Sequence, residues 1–248
     1  MALGPDRRFS LNTGSQTGRM TDAQAHAAGI DVGLRAYMLK VYNYMAIGLA
    51  LTGAVAFATS TSPEMMRAIY GTPLQWVVML APIGIVFFLA ARVHSMQAST
   101  AQAVFWVYAA LMGLSLSYIF VAYTGTSVAR VFFVTAGAFA GLSLYGYTTK
   151  KDLSGMGTFL FMGVIGILIA SVVNIFLQST GLQFAISVIG VLVFAGLTAY
   201  DTQRIKSIYY ESDGTEVAEK KAIMGALQLY LDFINMFIFL LHLFGNRN

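Results

Sequence analysis

Seven apolar runs, each about as long as a bilayer is thick, constrain this chain more than any other feature. The fifth, "MGTFLFMGVIGILIASVVNIFL" (Met156 to Leu177), contains no charged residue. About 20 predominantly apolar residues in a helix cross the hydrocarbon core of a membrane. The other apolar cores run Val41 to Thr59, Leu74 to Ala91, Ala101 to Tyr123, Val128 to Tyr147, Leu182 through Tyr210, and Ala222 to Phe244. In lipid each segment must satisfy its own backbone polar groups, so these runs are helices. The two-residue alternation of a membrane barrel is absent. Composition agrees: 57% of the 248 residues are hydrophobic and 10% charged, where a soluble domain carries about 25% charged. The mean hydropathy is +0.69. The sequence predicts an all-α membrane protein of seven transmembrane helices.

Residues 1–34 read as a polar, mobile cytoplasmic tail with a helical stretch near Asp22 to Ala28, and residues 35–248 as a single transmembrane domain. The tail has no apolar stretch of signal-peptide type. No cysteine is present, which excludes disulfides and thiolate chemistry. Small residues in "GAFAGLSLYG" and "GVIGILIAS" allow helices to approach closely in lipid, and Asn174 reads as interhelical glue. The net charge of +4 and pI near 9.3 reflect the positive-inside rule rather than nucleic acid. With the N-terminus inside, 12 of the 15 Lys and Arg residues lie on the cytoplasmic side, and Arg67, Arg130 and Arg247 lie outside. No phosphate loop, dinucleotide fingerprint or zinc spacing occurs.

Two carboxylates sit where ionisation is hardest to support. "TAYDTQRIK" places Asp201 near the end of the sixth run, and "LYLDFINMF" places Asp232 inside the seventh. Asp201 lies about 14 Å from Tyr210, and Asp232 about 16 Å past Lys221, at 1.5 Å per residue. Measured from the same loop, these depths let the two meet. An ionisable residue within a membrane span is a functional-site hypothesis by default, and two carboxyls in contact at low dielectric share a proton. That arrangement is a pH sensor. The plainer alternatives are a boundary Asp201 paired with Arg204 and a neutral Asp232 hydrogen-bonded to Asn235.

Arg92, in "FFLAARVHS", ends the second span on the side nearest both acids. It is either a snorkelling anchor or a latch that pairs with ionised carboxylates and releases them on protonation, a bistable element biased by pH. Phe233, Phe237 and Phe239 read as core packing around the last helix, with an apolar plug as the functional alternative.

The pieces "YGYTTKKDLSGMGTFLFMGVIGILIAS", "AGLTAYDTQRIK" and "ALQLYLDFINMFIFLL", in this order, resemble the transmembrane Bax inhibitor motif family, more closely its bacterial members. The resemblance covers roughly Arg35 to Leu243. It implies a seven-helix fold with the last helix surrounded by the others, in a bacterial inner membrane. It also implies a pH-sensitive calcium leak controlled by a di-aspartyl pair, matching Asp201 and Asp232, with the arginine matching Arg92. Bacterial relatives can carry a glutamate about three turns before that arginine, where this chain reads "LAPIGIV" without an acid. Calcium takes six to eight oxygen ligands, so two carboxylates and Asn235 form a weak, transient site suited to a permeant ion. The expectation is therefore a non-enzyme with no tightly bound cofactor.

Two other readings stay open. A non-conducting regulator of a membrane protease or stress response would use the polar tail and the loop "ESDGTEVAEKK". An intramembrane aspartyl protease would use the acids as base and acid, yet the chain has "LYLD" where that chemistry usually shows Gly-x-Gly-Asp.

Overall fold

The computed structural model describes residues 22–248, with side chains from residue 32 on; residues 1–21 of the polar tail lie outside it. The elements are α1 (Asp22–Ser60), α2 (Pro63–Tyr70), α3 (Leu74–Arg92), α4 (Ala98–Leu116), α5 (Ile119–Ala122), α6 (Gly125–Thr148), α7 (Ser154–Leu177), α8 (Thr180–Ser207) and α9 (Thr215–Phe244). Seven stretches are long and apolar enough to span a membrane: α1 from Val32, α3, α4 with α5, α6, α7, α8 and α9. This is the seven-helix membrane architecture the apolar runs demand. α1 is one continuous helix through the position where the tail ends by sequence, and it includes the stretch near Asp22 to Ala28.

The last helix is central. Of the residues in its most apolar window 67% are buried, against 17% in α3 and α7, and it packs on α8, α1, α6 and α4. Its inner residues Leu227, Leu229, Tyr230, Met236 and Leu241 are almost wholly enclosed. Phe233 meets Phe132 and Phe139 edge to face, with centroids 5.4 and 5.6 Å apart, a favoured ring geometry. The outer helices instead present Phe87, Phe159 and Phe176 outward, as a lipid-facing surface requires. α7 packs chiefly on α8.

Close approach depends on missing side chains at particular points. A Cβ on Gly146 of α6 would lie 2.2 Å from the Ala199 carbonyl oxygen of α8, and one on Gly157 of α7 would lie 2.5 Å from the Tyr200 ring. These contacts hold α6 and α7 against the segment of α8 that carries Asp201.

Two details depart from the sequence reading. The third span breaks at Ser117, whose hydroxyl donates to the Leu114 carbonyl at 2.7 Å, so α4 is followed by the short α5. The sixth helix stops at Ser207 rather than Tyr210. Lys221 of α9 donates to the Ile208 carbonyl at 2.9 Å and pairs with Asp213 at 2.6 Å. A cation at a helix C-terminus satisfies carbonyls that have no partner within the helix, and here it turns the chain back into α9.

At the other end of α7, Asn174 donates to Gln183 at 3.2 Å and accepts from the Ser179 backbone at 3.0 Å. It joins α7 to α8 across a turn in which Gln178 is left-handed, φ 48°. Farther on, residues 246–248 fold back onto the α5–α6 connection, where Thr124 N–H donates to the Asn246 carbonyl.

Candidate functional site: a buried pair of carboxyls

α8 and α9 bring Asp201 and Asp232 together. Both are buried at 4% exposure, and each carboxyl is a hydrogen-bonding neighbour of the other. The meeting survives the earlier stop of α8, because the tight Lys221-capped turn keeps the two helices in antiparallel register. One turn before Asp232, Gln228 donates from Nε2 to Asp201 Oδ1 at 2.8 Å. Asp232 Oδ2 is enclosed, and no N–H or O–H donor among the described residues reaches it.

Ionised carboxylates accept hydrogen bonds and cannot donate them. Two of them facing each other in a buried site carry a cost of burying charge that the Gln228 bond offsets only in part. One proton converts either acid into a donor toward the other. The arrangement can therefore take up or release a proton and change its net charge.

The pair opens on a cavity of about 600 Å³ between α7, α8 and α9, lined also by Gly157, Tyr200, Arg204, Gln228 and Phe239. Arg204, one turn beyond Asp201, is the cation whose field acts on that carboxyl. Among the described residues no other charged side chain lines the cavity: α7 contributes glycine, threonine and apolar residues, and α9 adds the amides of Gln228 and Asn235.

Asn235 lines the same cavity, but its Nδ2 donates to the Leu231 carbonyl at 2.8 Å. Its amide completes its own helix rather than binding Asp232. Phe239 stacks on Phe194 with centroids 5.9 Å apart at the far end of the cavity, whereas Phe233 and Phe237 face a separate apolar one.

Arg92 is not brought to the acids. Like Arg204 it is exposed and makes no ion pair among the described residues, but unlike Arg204 it is absent from the cavity lining. α3 packs mainly on α4 and α2. A second cavity of about 690 Å³, lined by Val93, His94, Arg204 and Lys220 among others, lies between the end of α3 and α8 with α9. Arg204 is the arginine beside the pair.

Gln228 is the site residue that a search for charge passes over. Its position four residues before Asp232, one helical turn, was the available signal. Among the described residues no group of three or more His, Cys, Asp or Glu side chains is assembled.

The chain is 51% identical over 217 residues to a protein of Rickettsia prowazekii, covering 88% of this chain and 92% of that one. It is 50% identical over 228 residues to a protein of Caulobacter vibrioides, covering 88% and 91%. It is also similar to the inner membrane protein YbhL of Escherichia coli K12, 46% identical over 218 residues, covering 87% and 93%. The family described as inhibitor of apoptosis-promoting Bax1 matches residues 34–248, a stretch that includes both acids, six whole spans and all but the first two residues of the first span. With nearly the whole described structure inside that match, the chain belongs to the Bax1-I family of membrane proteins.

Proposed function

We propose that this protein is a pH-sensitive calcium leak of a bacterial inner membrane, controlled by Asp201 and Asp232. The observation that carries the reading is the enclosed carboxyl pair beside a cavity that Arg204 alone among the described cations lines. In this reading the ionised pair attracts Arg204 of α8, and its pull on Asp232 of α9 keeps the two helices closed. Protonation cancels that attraction, so flux rises as pH falls. Calcium is the permeant cargo: two carboxylates and the neighbouring amide oxygens are too few to cage an ion that prefers six to eight oxygens. Weak binding suits an ion that must also leave.

Family membership and the name of the E. coli relative support the inner-membrane location. The distribution of Lys and Arg supports a cytoplasmic N-terminus.

The test is calcium flux against pH in liposomes containing the purified protein alone. Asp201→Asn and Asp232→Asn should each flatten the pH profile. Unchanged profiles in both variants would eliminate the sensor, and absence of flux at any pH would favour a non-conducting regulator. Acid-dependent cleavage of a membrane peptide, lost in Asp232→Ala, would favour a protease.

A further inference from the structure

A second polar cavity lies at the connection between α6 and α7. About 560 Å³ in volume, it is lined by Lys150, Lys151 and Arg204 with Asp152, Gln203 and Ser207 among others. Three cations therefore face one carboxylate. That carboxylate is already occupied, accepting from the Ser154 N–H at 2.9 Å. None of the three cations forms an ion pair among the described residues, and all three are exposed.

The backbone that carries the lysines is held in place. Gln203 donates from Nε2 to the Lys151 carbonyl at 2.8 Å and accepts from the Leu153 N–H at 2.8 Å. This clasp fixes the connection on α8 and presents Lys150 and Lys151 beside Arg204. The cavity sits where spans end, the level at which a bilayer carries its phosphates.

We propose that this cavity binds a phosphate group, held by Lys150, Lys151 and Arg204. Guanidinium and ammonium groups are the usual partners of phosphate, and basic pockets between spans bind anionic headgroups. The same chemistry could come from an anionic lipid or from free phosphate. Arg204 also lines the cavity of the acid pair, so a bound phosphate competes with Asp201 for it. This coupling rests on the proposed leak; the binding site does not.

The test compares anionic-lipid retention by the full-length protein, using native mass spectrometry with phosphatidylglycerol and phosphatidylcholine. Lys150→Ala/Lys151→Ala should weaken phosphatidylglycerol binding about 25-fold, at about fivefold per cation. Arg130→Ala removes an exposed cation at the other end of α6 and should change nothing. Displacement of the lipid by millimolar inorganic phosphate identifies a free-phosphate site, and retention in its presence identifies a lipid site. Wild-type binding by the double variant, or an equal loss in Arg130→Ala, overturns the proposal. For the coupling, phosphatidylglycerol should raise calcium flux at neutral pH in the wild type and not in the double variant. Identical flux with and without it overturns the coupling, while the binding result stands by itself.

Discussion

Gly146→Ala should loosen the helix contact that positions Asp201. The new Cβ would lie 2.2 Å from the Ala199 carbonyl oxygen, where ordinary contact begins at 3.4 Å, a shortfall of about 1.2 Å. The obstructing atom belongs to the backbone of α8 and cannot rotate away, so the helix must move. Overpacking of this kind costs about 1–3 kcal/mol, and alanine returns up to about 1 kcal/mol in helix propensity. Gly141, also in α6, is the control, because a Cβ there meets nothing within 4 Å. Gly141→Ala keeps the propensity gain without the clash, so the two variants should differ by about 1–3 kcal/mol. For a chain of this size that separates their unfolding midpoints by about 2–12 °C. Thermal unfolding of both variants in one lipid or detergent environment measures the difference. Ala199 lies two residues before Asp201, so Gly146→Ala should also disturb the pH profile of flux, and Gly141→Ala should not. Equal midpoints for the two variants would refute the reasoning.

Arg204→Ala should raise calcium flux at neutral pH, while Arg92→Ala leaves the profile as it is; the opposite pattern would assign the latch to Arg92. Thr52 donates to the Ala109 carbonyl at 2.8 Å and pairs with the Tyr230 hydroxyl at 2.6 Å. Thr52→Val strands that buried hydroxyl and should cost about 1–3 kcal/mol in thermal or denaturant unfolding, most of it recovered by Thr52→Ser. Asp152 is held below the usual carboxylate range by hydrogen bonds from the Ser154 side chain and backbone. Its contribution to stability is present above the ordinary carboxylate pKa and fades as pH falls through the depressed value. An NMR titration should show the shift partly reversed in Ser154→Ala. Because the chain has no native cysteine, single cysteines at Lys150 and Arg130 can be labelled in intact cells, and reagent from outside should reach the second alone.

The spans were legible because twenty apolar residues leave a chain little choice, and Asp232 was legible because nothing apolar explains an acid there. The short α2 escapes a reading of apolar runs although Ser62, Pro63 and Glu64 mark a helix start: Ser62 caps it, and the proline opens its first turn. The end of α8 was placed too late because Ile208, Tyr209 and Tyr210 continue the apolar pattern. Lys221, which stops the helix, lies beyond the turn and acts through space. Depth in the membrane could be counted along each helix, and it brought Asp201 and Asp232 to one level correctly. The direction a side chain takes around the helix axis is set by neighbouring helices. Counting alone could not separate Arg204, which lines the acids' cavity, from Arg92, which does not.

One wall of the acid cavity is α7, a helix braced chiefly from one side by α8. Its outward side chains, Phe159 and Phe176 among them, lean on hydrocarbon chains. The surrounding lipid therefore helps set the width of the chamber in which the carboxyls sit. Bilayer thickness and lateral pressure become variables of the acid chemistry, and a micelle is not an equivalent surrounding for measuring it.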